Sequence, residues 1–174
     1  MAKALPAKAN VQLVDDEENI RRSLKRMLRK EPCDSRTSTA GEDALALRNE
    51  QKVDRVISGA RMPGMDGPTL LAEIKKKWPW CIRILLTGYA DIDSTIKAIN
   101  EGQIYRYISK PWDDEELKLV IRQALAFQYS ERRRLALEKL TRKQNKELQV
   151  LNASLEDKVQ SRTEELKEAA GMLE

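Results

Sequence analysis

Four short stretches carry the side chains most able to do chemistry. Asp15-Asp16 follows the apolar run Val11-Gln12-Leu13-Val14, and Thr87 closes the run Ile82-Arg83-Ile84-Leu85-Leu86. Lys110 follows Tyr105-Arg106-Tyr107-Ile108-Ser109, and Gly59 closes Val53-Asp54-Arg55-Val56-Ile57-Ser58. Two adjacent carboxylates directly after an apolar strand suit a hard cation such as Mg2+, which prefers carboxylate oxygen and water. The same pair also reads as loop solubility. A hydroxyl and an ammonium beside them would hold the oxygens of an anionic group. Gly59 brings no side chain to a place where a strand end usually presents one. The chain has no histidine, which removes the commonest general base and the commonest zinc ligand.

These residues need a scaffold that gathers four strand ends. After the acidic loop, Ile20, Leu24, Met27 and Leu28 recur at helical spacing, and Pro32 is expected to stop that helix. Residues 33–38 read as a weak, polar strand. Gly41 precedes a short helix carrying Ala44, Leu45 and Leu47. The strand ending near Gly59 runs into the Pro/Gly-rich turn Met62-Pro63-Gly64-Met65-Asp66-Gly67, where Asp66-Gly67 reads as turn chemistry. Pro68 suits the first turn of a helix that continues through Leu70, Leu71 and Ile74 to Trp78. A helix from about Ile92 to Glu101 is expected to stop at Gly102. Asp113-Asp114-Glu115-Glu116 opens the last helix with the charge its dipole favours. Strand and helix alternate five times, which calls for a parallel sheet covered on both faces. In such sheets the working site lies beyond the carboxyl ends of the strands, where Asp15, Asp16, Gly59, Thr87 and Lys110 meet on one rim.

The last helix does not stop where a globular domain should. From Asp113 onward there is no proline, and the only glycine is Gly171. A stripe runs Leu137, Leu140, Gln144, Leu148, Leu151, Leu155, Val159, Arg162, Leu166, Ala169 and Leu173 in steps of three and four, much of it in a 4-4-3 rhythm near an eleven-residue repeat. A narrow apolar stripe on so polar a helix is expected to be buried against a second copy as a coiled coil. Gln144 and Arg162 on the stripe fit a solvated helix instead. The expected organisation is a tail over 1–8, a globular domain over 9–128 and a C-terminal dimer helix over 129–174.

The stretches "LVDDEENIRRSL", "MPGMDG", "LLTGYAD" and "YISKPW", in this order and each at a strand end, resemble the receiver domain of two-component response regulators over residues 9–128. The resemblance implies a flavodoxin-like doubly wound α/β fold, with a five-stranded parallel sheet in the order 2-1-3-4-5. It implies that Asp15 and Asp16, with the backbone carbonyl of Arg61, bind Mg2+. It gives Thr87 and Lys110 contacts to a phosphoryl group, makes Tyr107 an aromatic switch, and places a cis bond at Lys110-Pro111. Thr87 and Tyr107 read equally as ordinary strand residues. The family's phosphorylated aspartate falls on Gly59. An acyl phosphate needs a carboxylate oxygen to attack phosphorus, and glycine has none. Ser58 precedes the position but alternates to the other face. The implied function is therefore a non-phosphorylatable pseudo-receiver with weakened Mg2+ binding. It acts through protein contacts and coiled-coil dimerisation on an output domain or a partner. The alternative is a genuine phosphoacceptor for a histidine kinase, with Gly59 engineered or compensated by a nearby group. The segment from Arg106 to Leu166 resembles linkers that precede cyclic-di-GMP phosphodiesterases of the HD-GYP type or other signalling outputs; no enzyme is expected in this chain itself.

Composition limits the other classes. The basic and acidic residues number 22 and 19 over 1–128, and 10 and 9 over 129–174, so neither part shows the one-sided cationic surface of a nucleic-acid binder. No apolar run approaches the ~20 residues of a membrane span. Cys33 and Cys81 form no CxxC pair, and on the implied sheet three strand spacings, about 14 Å, separate them. That is too far for a disulfide. Reduced cysteines and the missing signal-peptide pattern lead to a cytoplasmic expectation.

Overall fold

The apolar runs of the sequence become strands wherever β-branched and leucine residues cluster, and the computed structural model describes residues 8–101 and 104–172. In chain order the elements are β1 (Ala9–Val14), α1 (Glu18–Leu28), β2 (Cys33–Ser38), α2 (Gly41–Glu50), β3 (Arg55–Gly59), α3 (Gly67–Lys77), β4 (Ile82–Thr87), a single turn of 3-10 helix at Tyr89–Asp91, α4 (Ile92–Asn100), β5 (Arg106–Ser109) and α5 (Asp114–Gly171). The five strands are parallel and lie in the order β2-β1-β3-β4-β5. The parallel sheet expected from the alternation is observed, and so is the flavodoxin-like order 2-1-3-4-5 that the resemblance implies. Most of the expected tail, residues 1–7, lies outside the described residues, as do the proposed stop at Gly102 and the stripe position Leu173.

Period-two alternation sends successive side chains to opposite faces. On one face Val11, Leu13, Ile57, Ile84 and Leu86 pack with Leu24 and Leu28 of α1 and with Leu117, Val120 and Ile121 of α5. On the other, Val14, Val56 and Leu85 pack with Leu70, Leu71 and Ile74 of α3. The central strand β3 is buried throughout, while the polar edge strand β2 is half exposed. Helix α1 ends at Leu28, earlier than Pro32 alone predicts. Proline pushes the residue before it to extended backbone, so the turn is made upstream, where the Arg29 N–H donates to the Arg26 carbonyl at 3.4 Å.

A buried polar cluster had no signal in the sequence. Arg48 of α2 is buried, and its guanidinium donates to Gln12 Oε1 at 2.8 Å and to Cys81 Sγ at 2.9 Å. Gln12 Nε2 in turn donates to the Ala44 carbonyl at 3.0 Å. Burial pushes the Cys81 thiol up, against the opposing pull of Arg48. Both cysteines are free.

Asp66-Gly67 does more than turn the chain. Asp66 is the N-cap of α3, and its Oδ1 accepts from the Thr69 N–H at 2.9 Å. A Cβ on Gly67 would collide with the Gly59 carbonyl, so only glycine lets α3 start this close to the end of β3. Asp66→Ala is expected to lower stability by about 1 kcal/mol. The urea midpoint should fall while the slope of the transition stays the same.

The chain divides into two compact units, Met1–Gln128 and Tyr129–Glu174. In the first, α5 buries Leu117, Val120, Ile121, Ala124 and Gln128, and Arg122 pairs with Glu31 at 2.8 Å. In the second, the described residues are exposed apart from the half-buried Glu131.

Candidate functional site

The carboxyl ends of β1, β3, β4 and β5 converge, and each brings one of the residues singled out above. Asp15 directly follows β1 and is fully buried. Its Oδ1 accepts the Glu17 N–H at 3.0 Å, which orders the entry to α1. Its Oδ2 receives Lys110 Nζ at 2.9 Å. Lys110 follows β5, and its own N–H donates to the Thr87 carbonyl at 2.6 Å, which ties the ends of β4 and β5 together. The Lys110–Pro111 peptide is cis.

Gly59 ends β3 beside this pair. A Cβ placed there would collide with Asp15 Oδ2, and would lie 3.1 Å from Asp15 Cγ and 3.7 Å from Lys110 Nζ. The volume that a side chain at 59 would enter is therefore filled by the Asp15 carboxylate. A carboxylate thus faces Lys110, but it comes from β1 rather than β3. Ser58 is fully buried, and its hydroxyl donates to the Gly59 carbonyl at 3.0 Å.

The other expected ligands do not gather on Asp15. The Asp16 side chain is exposed, and the backbone carbonyls of Asp15 and Asp16 both accept from Arg21 Nη1, at 2.5 and 2.9 Å. The second carboxylate near Lys110 is Glu17, at 3.7 Å, because the start of α1 turns Glu17 toward the rim. Arg61 reaches the β4–α4 connection, with Nε 2.5 Å from Asp91 Oδ1 and Nη2 donating to the Ala90 carbonyl at 3.3 Å. Asp91 also accepts the Gly88 N–H at 3.1 Å. Arg21 and Asp91 were missed in the sequence, where each is one more charge in a polar loop or helix. Only the fold shows that each fastens a rim segment.

A cation at a receiver-type site would have to compete with two donors for Asp15. Both Asp15 oxygens already accept hydrogen bonds, one from an ammonium. Among the described residues no group of three or more His, Cys, Asp or Glu is placed to hold a metal ion.

Thr87 is buried at the end of β4. Tyr107 points outward from β5, at 47 % exposure, on the wall of a cavity of about 340 Å³. Thr87, Gly88, Thr95, Ile96, Ile99 and Ser109 complete that wall. The tail stripe has no cover within the chain: Leu137, Leu148, Leu151 and Val159 are exposed, and the stripe's exposures run from 50 % at Leu140 and Leu155 to 71 % at Leu166. Among the described residues no helix is long and apolar enough to cross a membrane.

Comparison with known proteins agrees with this fold. The sequence model of the response regulator receiver domain matches residues 11–122. The hydrogenase transcriptional regulatory protein HoxA of Cupriavidus necator is 38% identical over 120 residues, covering 69% of this chain and 25% of that protein. The DNA-binding transcriptional regulator NtrC of Proteus hauseri is 35% identical over 118 residues, covering 68% and 25%. The chain thus spans about a quarter of the length of these curated relatives. A solved signal receiver domain of an HD domain-containing protein from Pseudomonas fluorescens superposes with a TM-score of 0.71 at 48% identity, over 75% of this chain and 96% of that one.

Proposed function

The chain belongs to the response regulator receiver family, and from that premise we propose that it is a pseudo-receiver, a member that carries signal without a covalent phosphoryl mark. One observation carries the reading: the Asp15 carboxylate fills the position-59 side-chain volume and is held there by Lys110. The pocket is thereby closed by its own residues. No carboxylate stands at the end of β3 to attack phosphorus, and a substitute would have to come from Asp15, which already bridges two donors.

In this reading Asp15, Asp16 and the Arg61 carbonyl retain only a weakened affinity for Mg2+, because the cation must compete with Lys110 for Asp15. Thr87, Tyr107 and Lys110 serve as structural parts of a fixed pocket. The domain works through protein contacts, with a histidine kinase or another signalling protein as partner. The tail stripe from Leu137 to Leu166 pairs two copies and passes the state of the domain to an output domain or a partner. The similarity to the receiver of an HD domain-containing protein supports an output of that kind. The near-balanced charge supports a regulator that does not bind nucleic acid through this chain, and its place in this reading is the cytoplasm, off the membrane, beside its signalling partner.

Incubation with a small acyl phosphate donor and Mg2+, followed by intact-mass measurement, is expected to leave the chain unlabelled. A gain of one phosphoryl group would return it to the phosphoacceptor class and end the pseudo-receiver reading.

A further inference from the structure

We propose that the tail pairs with a second copy of this chain in antiparallel orientation, centred on residue 153; this rests on the dimer reading above and adds its direction and register. The tail is helical through Gly171, and every stripe position from Leu137 to Ala169 is exposed. At 100° per residue these positions fall within one face about 100° wide. The stripe contains two misfits, Gln144 and Arg162, and any pairing must place them.

Reversal about residue 153 places them together. Leu151 then lies opposite Leu155, Leu148 opposite Val159, Leu140 opposite Leu166 and Leu137 opposite Ala169, each within one residue of level. Gln144 falls level with Arg162, so the two polar positions form one layer, repeated by symmetry. A parallel in-register pair does the opposite. It sets Arg162 against Arg162 and Gln144 against Gln144, with two like charges in an apolar seam.

The charges beside the stripe agree. Lys143, Glu147, Lys158 and Glu165 lie along one edge of it. A two-fold axis across an antiparallel pair makes each edge face its own copy, so Lys143 approaches the partner's Glu165 and Glu147 approaches the partner's Lys158. Within one chain these groups make only exposed contacts, Lys143–Glu147 at 3.9 Å and Arg162–Glu165 at 3.3 Å. Such pairs contribute little and are readily exchanged. The longer pattern points the same way. Residues 129–149 hold seven basic and three acidic side chains, and the facing segment 157–174 holds three basic and five acidic.

Disulfide trapping tests the direction. Leu140→Cys and Leu166→Cys chains are oxidised separately and mixed, with peptide mass mapping to identify the joined cysteines, so that Cys33 and Cys81 remain in place. The expected result is a 140–166 crosslink in the mixture and no 140–140 or 166–166 crosslink in either variant alone. Sedimentation of the unmodified chain is measured beside it. A sedimenting dimer that yields like-with-like crosslinks, or none, overturns the antiparallel register and leaves the dimer reading standing. A monomer throughout the micromolar range ends both. Charge reversal is a second measure. Glu147→Lys should weaken self-association about tenfold, and adding Lys158→Glu should restore it to within about twofold. A double variant as weak as the single one counts against the proposal.

Discussion

Gly59→Ala is expected to destabilise the receiver unit by about 2 kcal/mol, a large effect for adding one methyl group to a strand. Alanine in place of glycine normally favours a strand, because it lowers the entropy of the unfolded chain. Here the new Cβ needs the position of Asp15 Oδ2. The carboxylate must leave a fully buried site, and Lys110 loses its 2.9 Å partner. Removing one member of a buried ion pair costs more than the pair contributes, because the other charge is left without compensation. Lys110 is partly exposed and has Glu17 at 3.7 Å as a fallback, which keeps the expected cost below that of a fully buried pair. The mechanism is checked by coupling. If the collision is the cause, Asp15→Ala and Gly59→Ala will not add: the double variant should be about as stable as Asp15→Ala alone. Urea melts of the four chains give the cycle directly. Additive losses would mean that Asp15 does not occupy the position-59 volume in solution, and the closed-pocket account would fall with it.

Much of this architecture was legible in the sequence, for reasons that differ from element to element. Alternating apolar runs identified the strands, because only a parallel sheet covered on both faces calls for runs such as Ile82–Leu86. Strand ends placed Asp15, Gly59, Thr87 and Lys110 on one rim, because a doubly wound sheet brings all its carboxyl ends to one side. What the sequence did not disclose was the response of the rim to the missing side chain. That response is a contact between Asp15 and Lys110, 95 residues apart, and it depends on a rotamer rather than on a motif. The same limit applies to Arg48, whose burial against Gln12 and Cys81 requires three elements to be assembled first. Asp66 was read as a turn residue because a cap and a turn use the same side-chain chemistry; only the direction of the following backbone separates them.

Gly59→Asp is expected to change the chain from inert to phosphorylatable, and it does so by making Asp15 move. The new side chain enters the same volume as the alanine methyl, so Asp15 is again displaced. This time a carboxylate arrives from β3 to meet Lys110, and the ion pair is re-formed with a different partner. The variant should therefore be less destabilised than Gly59→Ala. With Asp15 displaced, the carboxylates of residues 15, 16 and 59 and the Arg61 carbonyl would be the groups to hold Mg2+, a hard cation that takes oxygen ligands. A carboxylate oxygen of residue 59 can then attack the phosphorus of an acyl phosphate, breaking the donor's P–O bond and releasing its carboxylate, with Lys110 and Thr87 bound to the transferred oxygens. The measured result should be one added phosphoryl group that requires Mg2+, is absent from the unsubstituted chain and is lost on adding Lys110→Ala. A Gly59→Asp chain that melts cooperatively yet stays unlabelled would show that Lys110 and Thr87 no longer form a phosphoryl site. The glycine would then be one of several changes rather than the one that silenced the pocket.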